Sequence, residues 1–184
     1  MHLISILPVA ALLLPTISSA HPLQRQANST SCVPNAYVIN SYNYYAADHS
    51  SLNIAHGIWD AEVSFDITTY RDGQIYHTDH CSAGEGGLWP SRFDPDKLYD
   101  CGAPDMSITG MSGRGDSFVF IHQWNCDRRG YISETPMTIT PLECEETDDG
   151  SRVGQNCTGP LFSIFAPQNV RVIYTENGDV RRAV

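Results

Sequence analysis

Apolar and polar residues alternate most cleanly between Ser117 and Cys126, SFVFIHQWNC. Phe118, Phe120, His122, Trp124 and Cys126 fall on one face, and Val119, Ile121, Gln123 and Asn125 on the other. Side chains on a strand point alternately to opposite faces, so a period of two in aromatic and β-branched residues predicts a strand. Three large aromatics on one face need an apolar layer opposite them. The segment from Ile58 to Tyr70 alternates in the same way, with Trp59, Ala61, Val63, Phe65 and Ile67 against Asp60, Glu62, Ser64, Asp66 and Thr68. One buried face and one wet face is the pattern of an antiparallel sheet.

Turn chemistry separates these runs. Arg71-Asp72-Gly73 predicts a hairpin whose second arm is Gln74 to Cys81, because glycine accepts the positive φ that such a turn requires. Further strands are expected at Ala36–Tyr45, Met106–Met111, Tyr131–Thr140, Leu161–Phe165 and Val170–Thr175. Pro136 should push the Tyr131–Thr140 strand toward a sheet edge. Loops are expected at Asp48–Asn53, Ser82–Pro95 and Cys144–Thr158, with a turn at Ser112–Asp116. No segment holds a helical period. The fold class expected is all-β, a single-domain antiparallel β-barrel or sandwich.

The ends of the sequence read differently. Residues 1–20 hold an apolar run from Leu3 to Leu14, no acid, and small residues at Ser18 and Ala20, the features of a secretory signal peptide. Residues 21–31 read as a flexible leader with a candidate processing site at Arg25, residues 32–175 as the domain, and residues 176–184 as a polar tail. No later stretch is long and apolar enough to cross a membrane. A secreted, extracellular protein is expected.

Charge narrows the partners. The net charge is −10, with one lysine, Lys97, among eleven basic residues. That balance argues against nucleic acid and anionic membrane, both of which need a basic surface. Six cysteines, at 32, 81, 101, 126, 144 and 157, lack zinc-ligand spacing and predict disulfides, with the pairing left open among fifteen arrangements.

Candidate chemistry is sparse. No nucleophile elbow, zinc-protease helix or phosphate loop is present. His77, Asp79 and His80 form HTDH, but strand positions three apart face opposite ways, a poor chelate. His122 on the aromatic face reads as a core residue. Asp94 and Asp96 carry no mark of an acid/base pair, and the acidic run Glu143–Gly150 lacks the spacing of a calcium loop. Arg114-Gly115-Asp116-Ser117 matches an adhesion tripeptide, but a three-residue match arises easily by chance and the segment reads better as a Gly-containing turn between two strands. Of two sequons, Asn28-Ser29-Thr30 is the glycosylation candidate. Asn156-Cys157-Thr158 is expected to be poorly occupied, because a disulfide at Cys157 competes. Neither catalytic residues nor a cofactor or metal site is predicted.

Four segments resemble the Alternaria major allergen family of small secreted fungal β-barrel proteins: TSCVPNAYVIN at Cys32, HCSA at Cys81, LYDCG at Cys101, and Cys144 with the later CTGP at Cys157. They span Cys32 to about Val172. The resemblance implies bridges Cys81–Cys101 and Cys144–Cys157. In that family the cysteine near the mature N-terminus can link two subunits. This chain departs from the pattern with Cys126, so Cys32 is expected to pair with Cys126 inside a monomer. The resemblance also implies an effector or elicitor that binds a host extracellular protein or a small apolar or phenolic ligand, with no ligand residues transferable. The loops 82–95 and 144–158 are the first suspects for binding, with Tyr42, Tyr44 and Tyr45 as a further patch. The alternatives are a small secreted hydrolase with an unrecognised site and a cell-wall structural protein.

Overall fold

The computed structural model describes residues 32–48, 58–88, 93–148, 150 and 153–175, with the side chains of 58, 59, 87, 88 and 175 excepted. The expected signal peptide, the whole leader with Arg25 and Asn28, and the tail lie outside the described residues. Eleven strands run in chain order: β1 Ala36–Asp48, β2 Ile58–Arg71, β3 Gln74–Leu88, β4 Tyr99–Asp100, β5 Met106–Thr109, β6 Ser117–Cys126, β7 Arg129–Thr138, β8 Glu143–Asp148, β9 Val153–Thr158, β10 Phe162–Phe165 and β11 Arg171–Thr175. The described residues contain no helix.

The strands form two antiparallel sheets that face each other as a sandwich and do not close into a barrel. One sheet has the order β3-β2-β1-β9-β8, with β10 also paired to β1; the other has the order β11-β7-β6-β5-β4. Between them lie the alternate residues that the sequence pattern selected. Val63, Phe65 and Ile67 of β2 and Phe118, Phe120 and His122 of β6 are all buried. Tyr42, Phe65 and Phe118 stack with centroids 5.1 to 6.4 Å apart, an offset ring geometry that adds to simple burial.

Three disulfides staple the sandwich: Cys32–Cys126, Cys81–Cys101 and Cys144–Cys157, with sequence separations of 94, 20 and 13. Cys81–Cys101 ties the edge strand β3 of one sheet to the start of the other sheet at β4. Cys144–Cys157 joins directly opposed residues of the β8–β9 pair. Cys32–Cys126 holds the segment before β1 against the end of β6, where Trp124 Nε1 donates to the Cys32 carbonyl at 2.6 Å.

Four expectations change. The segment Cys144–Thr158 is mainly a β8–β9 hairpin, because the acidic and threonine side chains of β8 can all face water from an outermost strand. The expected loop at 82–95 is strand through Leu88, and Phe93 beyond it packs into the core. Tyr42 and Tyr44 are 2% and 0% exposed, so they are core residues and supply no contact patch. Pro136 sits on β7 between β6 and β11, not on an edge strand. It is tolerated because β11 pairs only with residues 129–132, leaving Pro136 beyond the end of that ladder.

Candidate ligand-binding cleft

Strand β1 is flanked by β2 along its length, but its other side has two successive partners. Tyr37 to Asn40 pair with β10, ending at Asn40↔Phe162; Asn43 to Asp48 pair with β9, starting at Asn43↔Thr158. The change falls at a β-bulge between Asn40 and Asn43, where Ser41 takes a φ of 54°. The bulge is held from both sides. Asn43 Nδ2 donates to the Ser41 carbonyl at 3.0 Å, and Gly159 N donates to the Tyr42 carbonyl at 3.0 Å. Beneath it, the Tyr42 ring enters the core and its hydroxyl donates to the Gly115 carbonyl. Bulges recur where a strand must re-aim side chains.

This fork opens a surface cleft of about 510 Å³. Asn40, Ser41 and Asn43 supply its polar wall, and Pro160, Leu161 and Phe162 its apolar wall. Leu161 and Phe162 are 85% and 56% exposed, so their apolar surface is available to a ligand. Asn40 Oδ1 is buried and has no donor. An acceptor left unpaired costs about 1–3 kcal/mol. The cleft is open to solvent rather than enclosed, and it sets polar groups beside exposed apolar surface.

The molecule's buried titratable network lies elsewhere. The Tyr37 hydroxyl meets Ser133 Oγ at 2.7 Å and His122 Nδ1 at 3.2 Å, all three inside the sandwich. Burial pushes the Tyr37 phenol up to about 12. Burial also depresses His122 to about 4, opposed by the Asp105 carboxylate and reinforced by Arg71 and His77. Ser133 contacts Tyr37 and not the histidine, so the imidazole's hydroxyl partner is the Tyr37 phenol and no serine–imidazole pair is formed among the described residues; a base near 4 is also weak at neutral pH. Nearby, Arg71 Nε and Nη2 and the fully buried Thr69 Oγ1 are unpartnered, while the guanidinium lies 4.0 Å over the Tyr76 ring.

The remaining sequence candidates disperse. The HTDH segment splits across the sheet: His77 Nε2 lies 3.6 Å from Asp79, whereas His80 Nδ1 reaches Asp66 at 2.9 Å on the other face. Asp94 caps a local turn by accepting from Asp96 N, and both residues are exposed. The acids from Glu143 to Asp148 spread along an exposed strand. Gly115 is buried with φ +67°, the Tyr44 ring fills the space of a Cβ there, and Ser112 Oγ holds Asp116 at 2.7 Å. The RGDS segment is therefore anchored in a core-facing turn. Cys32, Cys126 and Asp127 bring three ligand-type atoms together, but the sulfurs are spent in a disulfide. Sequence reasoning missed the cleft: Asn40 and Ser41 gave no motif, and only the break in alternation across Asn40–Tyr42 foretold the bulge.

No family model matches this chain, and no curated protein or solved structure matches it either.

Proposed function

We propose that this chain is a secreted fungal binding protein, not an enzyme, that takes a small phenolic ligand in the cleft at the β1 fork and acts as an effector or elicitor outside the producing cell. The cleft carries the proposal: exposed Leu161 and Phe162 face an asparagine-lined wall whose buried Asn40 Oδ1 has no donor. An aromatic ring matches the apolar wall, and a phenol hydroxyl is a donor of the kind that the amide oxygen lacks. The resemblance to the Alternaria major allergen family points to the same ligand class. The three disulfides support an oxidising, extracellular setting. The neutral, sealed Tyr37–His122–Ser133 network supports binding over catalysis.

Calorimetric titration with para-cresol and with its methyl ether tests this. The phenol should bind about tenfold more tightly than the ether, which cannot donate. Asn40→Leu should erase that preference. Equal binding of both compounds, or none, contradicts the proposal.

A further inference from the structure

We infer that Asn156 carries an N-linked glycan on the outer face of the β8–β9 hairpin, an inference that rests on the secretory reading above. The sequon Asn156-Cys157-Thr158 has a cysteine at its centre, which from sequence alone sets disulfide against glycan. The strand geometry separates them. On β9 successive side chains point to opposite faces, so Cys157 turns inward, 1% exposed, and meets Cys144 across the ladder. Asn156 and Thr158, the two residues that define the acceptor, both point outward and are exposed. The cross-strand neighbours of Asn156 are Tyr45, half-buried, and Glu145, exposed. Asn156 is itself exposed, so a sugar root there meets solvent.

The bond chemistry needs nothing from the sulfur. The Asn156 Nδ2 attacks the anomeric carbon of a lipid-linked oligosaccharide diphosphate. The N–C bond forms, the C–O bond to diphosphate breaks, the amide gives up one proton, and the lipid diphosphate departs. Cys157 stays free to bridge Cys144.

The glycan would also have a structural consequence. β8 is the outermost strand of its sheet, with all its side chains exposed and one row of backbone groups open to pairing. An oligosaccharide rooted on the adjacent β9 screens that edge alongside the acidic side chains. Thr158 belongs to the same outward row and lines the cleft, so the sugar stands beside the mouth of the ligand site.

The test is expression of the full chain in a eukaryotic secretory host, purification from the medium, and peptide mapping before and after peptide:N-glycosidase. Most molecules should yield Asp at position 156 after the enzyme, and Asn156→Gln and Thr158→Ala should each remove one glycan from the intact mass. Asn28 is read on a separate peptide. Protein in the medium with an unmodified Asn156 peptide overturns the inference. Retention of the chain inside the cell would instead sink the secretory reading, and the glycan with it.

Discussion

The two ends of the inter-sheet core are built on opposite principles. At one end Tyr42, Phe65 and Phe118 stack, with Val63, Tyr44 and Ile139 also in the core cluster. At the other, Tyr37, Thr69, His122 and Ser133 bury hydroxyls and an imidazole between the same two sheets, with the Arg71 guanidinium alongside. The apolar end gains from every area it removes from water. The polar end gains only where partners are found, and Thr69 Oγ1 and Arg71 Nε and Nη2 have no hydrogen-bond partner. Nature of the closure follows the same division: the polar end is where Cys32–Cys126 and the Trp124 hydrogen bond hold the chain before β1. A sandwich can thus draw its stability from one half and carry an energetic liability in the other.

Substitutions at the two ends should therefore have opposite signs. Phe65→Ala, which breaks the ring stack at a fully buried site, should cost about 3–5 kcal/mol in denaturant unfolding. A loss under about 1 kcal/mol would mean that the apolar end is not the stabilising half.

The polar end should respond to pH. His122 has a folded pKa of about 4 against about 6.5 when unfolded, so the unfolded chain takes up its proton first. Its stability contribution is intact above about pH 6.5 and is lost as pH falls toward 4, to a total of about 3 kcal/mol. Its ring faces Tyr37, Trp124 and Phe120, with Arg71, His77 and Asp105 as the charged groups that act on it. His122→Leu should flatten that acid limb while Tyr37 keeps Ser133 as a partner. An unchanged acid limb in the variant would assign the pH dependence to other groups.

The smallest effect has the opposite direction. Arg71→Met keeps an apolar stem and removes two buried, unpartnered N–H groups, worth about 1–3 kcal/mol, at the loss of a cation–π contact worth about 0.5–1 kcal/mol. The variant should unfold at higher denaturant by a net of about 1 kcal/mol. Destabilisation would show that the polar end is paired in solution after all.

Much of this architecture was legible because the sheets are wet on one side only. Period-two runs at 58–70 and 117–126 named the inward residues, and Asp72-Gly73 named a hairpin. The turn between β6 and β7 escaped notice because Asp127 and Arg128 take positive φ without a glycine to advertise it. The β8–β9 hairpin escaped because a fully exposed edge strand has no apolar period to read. Tyr42 and Tyr44 were offered as surface residues because a bulge at Ser41 shifts the alternation by one, turning both inward. That same bulge makes the cleft, so the candidate site arose where the sequence pattern broke.

Backbone-amide NMR during titration with para-cresol tests the ligand site most directly. The account predicts shifts confined to Asn40–Asn43 and Thr158–Phe162, saturating together, with the amides around Tyr37, His122 and Ser133 unmoved. Shifts centred on the polar end of the core, or scattered over the sheet faces without saturation, would contradict it.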